Sequence, residues 1–350
     1  MDEDVLSKRK LLLLSVTIVV IFLMVSSVFL TSFLTQEDSG NDGTEEEDKT
    51  DWTNYPYVIP GTDMEFPDEE GLYPKGETWI SLGLRLDFEA PDKERTYINF
   101  LYHEYYKDVF VSNSEETVNY RLQGKRQLSI GKMNMSFNNL ELPRDILKFQ
   151  EGESFQYDLK AFFKSEDKIT YELDLELISK KPPATMFDGE VQIDSDYYRL
   201  HALTRCEVNG EVKIGSDNYE VSGLGWIENQ RGSFKGMKWD WFAFWDDSNI
   251  EMEIVNLSSS GKNIRYAMHV AKDGELKTID DLNIEVTSSK NGFGYSWEIS
   301  SDQYDVDLNV TCIKDRMVYS MSFAAGFGRA KGTVRGKSID TITYIELKSD

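Results

Sequence analysis

Beyond residue 76, nearly every segment of this chain alternates apolar and polar residues with a period of two. In Thr170–Ile178 (TYELDLELI), Tyr171, Leu173, Leu175 and Leu177 alternate with Thr170, Glu172, Asp174 and Glu176. The same rhythm runs through Trp79–Phe88, Val208–Ile214, Ile250–Val255 and Asp305–Val310. Successive side chains of a strand point to opposite faces, so this spacing suits a sheet with one covered face, not a helix. Turn-forming residues recur between the runs, at Asn209-Gly210, Gly215–Asn218, Asp273-Gly274 and Asn291-Gly292, and such turns close antiparallel hairpins. No long amphipathic helix is spaced out; Leu140–Phe149, with Pro143 near its start, could make a short one. The pattern predicts an all-β protein of many short antiparallel strands arranged as barrels or sandwiches.

The N-terminus has a different character. Residues 11–34 form an uncharged run of 24, long enough for one transmembrane helix, which needs about 20 residues. Lys8, Arg9 and Lys10 precede it and Glu37, Asp38 and Asp42 follow it. The positive-inside bias then places residues 1–10 in the cytoplasm and the rest of the chain outside the cell membrane. A cleaved signal peptide is the competing reading, weakened by the length of the run and the lack of an Ala-x-Ala-like site. Residues 35–70 read as an acidic, disordered linker, too poor in apolar groups to offset the entropy of ordering. Two candidate breaks divide what remains, Pro182-Pro183 and the stretch 230–238. The fresh series of strand-like runs from Met237 to Leu347 favours the second, giving domains at 71–232 and 233–350. The net charge of −24 comes wholly from the part beyond residue 34. Nucleic acid is excluded as a partner on that ground, and an anionic ligand is disfavoured unless a local basic pocket exists.

Chemistry concentrates in the middle. Gly223–Phe242 (GLGWIENQRGSFKGMKWDWF) carries three of the seven tryptophans, Trp226, Trp239 and Trp241, with Glu228 and Asp240 among them. Indoles are costly on an exposed strand unless buried or met by a ligand. Alternation puts Leu224, Trp226, Glu228 and Gln230 on one face. Along 239–246 it separates Trp239, Trp241 and Trp245 from Asp240, Phe242, Phe244 and Asp246. Asp240 amid Phe242 and Phe244 would have its carboxyl pKa raised if buried, as suits a proton donor to an apolar substrate. Its structural alternative is to accept bonds from backbone N–H groups or an arginine at a domain junction. His103, His201 and His269 lie in separate strands without metal-ligand spacing, so no metal is expected. No nucleophile elbow, phosphate loop or dinucleotide fingerprint is present, and no cofactor is expected. Cys206 and Cys312 sit where disulfides are permitted, and sequence leaves open whether they meet.

Gly225-Trp226-Ile227-Glu228-Asn229-Gln230-Arg231-Gly232, followed by Trp239-Asp240-Trp241-Phe242, resembles the central segment of the AttH-like, carotenoid 1,2-hydratase (hydroxyneurosporene synthase) family. Tyr197-Tyr198 with Glu207–Gly210, Glu77-Thr78-Trp79, and Gly336 to Tyr344–Leu347 are similar to outer motifs of that family, in the same order. The resemblance implies two lipocalin-like (calycin-type) barrels in tandem and a site for an apolar, isoprenoid- or lipid-like molecule. It implies Glu228 and Asp240 as the acids, with Trp226, Asn229, Trp239, Trp241, Phe242, Tyr198, Trp79 and Tyr344 lining the ligand. Glu228 replaces the family's Asp, Asn229 its His, and Arg231 a Trp; an Asn cannot relay a proton. Two functions follow, binding of a hydrophobic small molecule or cofactor-free hydration or cyclisation of one. A ligand-free surface domain with filled barrels is the third.

Overall fold

The structure is a computed structural model describing residues 52–54, 56–66, 69, 77–90, 93, 95–103, 106–113, 117–120, 147–149, 155–164, 169–193, 195–234, 236–245, 247, 249–319 and 322–349. Among them it is all-β, without an α-helix. The run at 11–34, read as a membrane helix, lies outside the described residues; no helix among those described is long and apolar enough to cross a membrane.

The first large sheet is made of β3 (Glu77–Phe88), β4 (Thr96–His103), β5 (Tyr106–Asn113), β6 (Thr117–Tyr120), β7 (Leu147–Phe149), β8 (Gln156–Lys164), β9 (Thr170–Ser179), β10 (Ala184–Ile193), β11 (Asp196–Ile214) and β12 (Asp217–Gly232). Its order is β6-β5-β4-β3-β12-β11-β9-β8-β7, with β10 pairing beside β11. The second is made of β13 (Lys238–Trp245), β14 (Glu251–Ser259), β15 (Lys262–Val270), β16 (Leu276–Ile279), β17 (Asn283–Lys290), β18 (Phe293–Ser301), β19 (Val306–Tyr319), β20 (Phe323–Val334) and β21 (Lys337–Lys348). Its order is β16-β15-β14-β13-β21-β20-β19-β18-β17. Both are antiparallel, and in each the first strand pairs with the last, β3 with β12 and β13 with β21. The two halves thus share one topology although no repeat is visible at the residue level.

Each sheet covers one face with a core of its own. Leu82, Leu84, Leu159, Leu175, Leu177 and Val208 pack in the first, and Phe242, Phe244, Ile254, Trp297, Ile299 and Leu308 in the second. Cys206 lies in the first core and Cys312 in the second, both as free thiols. A third apolar cluster joins the other faces of the two sheets, and here the sequence's polar-face expectation fails.

The stretch 35–70 needs a correction at its C-terminal end. β1 (Tyr57–Val58) pairs with β2 (Glu65–Phe66), and Tyr57, Ile59, Met64 and Phe66 are buried in the first core. Phe66 and Phe155 meet edge-on at 5.2 Å. Arg199 holds the segment down with ion pairs of 2.7 Å to Asp63 and 2.7 Å to Glu69. The acidic composition of the whole stretch masked these spaced apolar residues, whose burial offsets the ordering entropy.

Candidate functional site

The central tryptophans face neither water nor a barrel interior; they fill the seam between the sheets. On β12, Leu224, Trp226, Glu228 and Gln230 share the outer face, and on β13 so do Trp239, Trp241, Ala243 and Trp245. These faces meet, with Trp226 stacked on Trp245 at 6.0 Å and 23°. Close approach depends on Gly83 of β3, where an added Cβ would stand 2.6 Å from the Trp245 ring. Trp79 and Trp239 meet edge-on at 5.6 Å, and Trp241 meets Tyr344 edge-on at 5.9 Å. Tyr198 packs on Phe234 at 6.0 Å. Lys348 lies 4.8 Å above the Trp239 ring, a cation–π contact that closes one end.

Three carboxyl groups converge in this seam: Glu228 from β12, Glu253 from β14 and Glu346 from β21, with relative exposures of 0%, 0% and 2%. The Trp226 indole donates to Glu228 at 3.2 Å, and the Gln230 amide donates to its other oxygen. The Trp241 indole donates to Glu253 at 2.6 Å. The second Glu253 oxygen and the Tyr198 hydroxyl are buried with no hydrogen-bond partner among the described residues. Burial, and then the charge of Glu253, hold the Glu228 carboxyl well above the usual carboxylate range, against the Trp226 and Gln230 donors. Burial pushes Glu253 up to about 8, with Glu346 adding to the rise and the Trp241 bond opposing it. Burial also raises the Tyr198 phenol, helped by all three carboxylates. Among the described residues, no cation acts on Glu228 or Glu253. An acid without a cation in such a medium keeps its proton.

A second buried acid in the same seam differs. Glu251, two residues before Glu253 on β14, is 0% exposed and pairs with both Lys181 and Arg205 of the first half. Lys181 also donates to the carbonyls of Asn249 at 3.3 Å and Val270 at 3.2 Å. This triad ties the two sheets together by charge.

Trp79, Tyr198, Trp226, Glu228, Trp239, Trp241 and Tyr344 therefore come together between the sheets. Three residues named with them do not. Asn229 follows Glu228 and so points to the opposite face, into the first core, where its amide donates to the Glu69 carbonyl at 3.4 Å. Phe242 points into the second core, 4.9 Å from Trp297. Asp240 shares that inner face; burial raises its pKa, and the Asn256 amide donates to it at 3.3 Å. Among the described residues its hydrogen-bond partner is thus a side chain of the same sheet. Beside the indoles, side chains of the two sheets pack on one another. Among the described residues, hollows lie elsewhere: about 570 Å³ bounded by Lys160, Glu172 and Lys213, about 290 Å³ beside His269, and about 10 Å³ between His201 and Asn229.

Sequence reasoning missed Glu253 as a site residue and used Glu346 only as part of a closing motif. The alternation of Glu251 and Glu253 with Met252 and Ile254 was visible, but acids on one face of a strand ordinarily mark the wet side.

No family model and no curated protein matches the sequence. Solved structures do share the fold. Kievitone hydratase from Nectria haematococca superposes with a TM-score of 0.62 at 14% identity, over 85% of this chain and 94% of its own. A candidate AttH from Nitrosomonas europaea gives 0.58 at 14% identity, over 83% of this chain and 98% of its own. The architecture is that of AttH-like proteins.

Proposed function

We propose, taking that shared fold as the premise, that this protein holds an apolar, unsaturated small molecule between its sheets and adds water across a double bond without a cofactor. The observation that carries this reading is the meeting of Glu228, Glu253 and Glu346 with Trp226, Trp241 and Tyr198 in a dry seam. A carboxyl kept protonated near neutral pH can give its proton to an alkene carbon, a neighbouring carboxylate can take one from the attacking water, and indole faces can steady the cation between. One carbon gains H and the other OH, and one proton moves from acid to base, to be returned through solvent. Because each sheet has its own core, loosening the seam admits a guest without unfolding either half.

In the finer reading, each sheet is a lipocalin-like barrel, and the run at 11–34 anchors the protein in the cell membrane with residues 35–350 outside. Simple carriage of the same class of molecule, isoprenoid- or lipid-like, is the second reading. It is favoured by the orphan Tyr198 hydroxyl and the many ring edges, which suit a ligand with one polar end.

Organic extraction of the purified chain and mass spectrometry would identify what it carries. Incubation of that molecule in D₂O then separates the readings. Hydration predicts deuterium uptake at carbon, reduced about 10²–10⁴-fold in Glu253→Gln or Glu228→Gln. A bound molecule that takes up no deuterium indicates carriage, and a chain that binds no apolar molecule overturns both.

A further inference from the structure

At one end of the second sheet, far in character from the dry seam, lies the hollow of about 290 Å³. Its walls are Asn249 and Ile250 ahead of β14, His269, Ala271 and Lys272 at the end of β15, and Val334, Arg335 and Lys337 at the β20–β21 turn. Three cations, Lys272, Arg335 and Lys337, therefore share one small basin on a chain of net charge −24. No ion pair of theirs is found among the described residues, although acidic side chains outnumber basic ones along the chain. The Asp305 carboxylate, 3.7 Å from where a Gly336 Cβ would stand, is an acid beside them, and three cations against it leave a positive local potential that draws anions against the field of the whole protein.

The floor of the basin holds a buried imidazole with one nitrogen left over. His269 is 4% exposed, its Nδ1 lies 3.2 Å from the Tyr304 hydroxyl, and its Nε2 is buried without a partner among the described residues. Arg335 lies 5.6 Å from the centre of the Tyr304 ring, over its face. In the tautomer where the Tyr304 O–H donates to His269 Nδ1, the imidazole proton is on the unpartnered Nε2. Burial, followed by the charges of Arg335, Lys181 and Lys337, keeps the ring neutral, with its pKa lowered to about 4; Glu275 opposes them and is itself paired with Lys277. A neutral imidazole N–H can bond an anion at any physiological pH. The Asn249 side-chain oxygen, also buried without a partner, offers an acceptor for a hydroxyl carried by the same molecule.

We propose that this basin is a binding site for a small oxyanion-bearing molecule, phosphate being its simplest form, gripped by Lys272, Arg335 and Lys337 and oriented by His269. The site is independent of the seam and of whatever chemistry occurs there.

Calorimetric titration of the full chain with inorganic phosphate, at ionic strength held constant with chloride, tests it, alongside vesicles of phosphatidic acid or of phosphatidylcholine alone. Saturable one-to-one phosphate binding, weakened at least tenfold in Lys337→Glu and in Arg335→Glu, is expected. Retention on phosphatidic acid vesicles only, lost in the same variants, would keep the site and make a lipid headgroup its source. Both side chains are exposed; Lys337→Glu, at a side chain with no contact to Tyr304 among the described residues, should melt with the wild type, and a matching melting curve separates lost binding from lost folding. Failure to bind phosphate or phosphatidic acid, or binding that both variants leave unchanged, overturns the proposal.

Discussion

Glu251 and Glu253 stand two residues apart on one face of β14, both fully buried between the sheets. Burial pushes both carboxyls up. At Glu251 the charges and donors of Lys181 and Arg205 oppose that push. At Glu253 the opposition is a single indole N–H, and Glu346 reinforces the rise. One region of the seam is thus a charged fastening and the other a store of protons. The difference shows that burial alone does not assign a role to an acid; the sign of its neighbours does.

The comparison can be broken most decisively from the charged side. Replacing Lys181 by Met leaves Glu251 short of a cation in a dry setting and should cost about 3–5 kcal/mol, read as a lower urea midpoint. A loss below about 1 kcal/mol would mean that the fastening does not fasten. Next in size is Gly83→Ala, whose Cβ would push on the Trp245 ring that stacks on Trp226. A cost of about 1–3 kcal/mol, seen with an altered near-ultraviolet tryptophan spectrum, is expected from the overpacked seam.

The proton store has its own signature in pH. Glu253 has an ordinary pKa of 4.5 and a folded one of about 8, so between those values the folded chain keeps a proton that the unfolded chain releases. Stability must therefore fall as pH rises through that window, by at most about 1.4 kcal/mol per unit for this group. Glu253→Gln should flatten the decline measured by denaturant titration at pH 5, 6, 7 and 8, whereas an unchanged slope would show that Glu253 is ionised throughout. The smallest effect is expected from Asp240→Asn. Asp240 lies on the inner face and accepts from Asn256, so deuterium uptake at the seam should stay within about twofold of wild type; a loss on the scale of general acid catalysis, about 10²-fold or more, would move the chemistry into the second core.

Much of this was legible in the chain. The period of two fixed the all-β class, and within a strand it fixed which side chains act together. Trp226 with Glu228, and Asp240 apart from Trp241, follow from alternation alone and reappear as a hydrogen bond and as separate cores. The same rule was available for Asn229, whose place after Glu228 puts it on the other face. The family pattern, read along the chain, grouped the two regardless.

Alternation relates side chains along one strand; it carries no information about what lies opposite a face. Whether the face of Glu251 and Glu253 met water or another sheet was decided only when the two halves packed outer face to outer face. That packing brought acids from β12, β14 and β21 to one place while setting two cations beside Glu251 and, among the described residues, none that acts on Glu228 or Glu253. Position along the chain could not supply this, because electrostatic character depends on distance through space and on the exclusion of water, and both arise only in the assembled molecule.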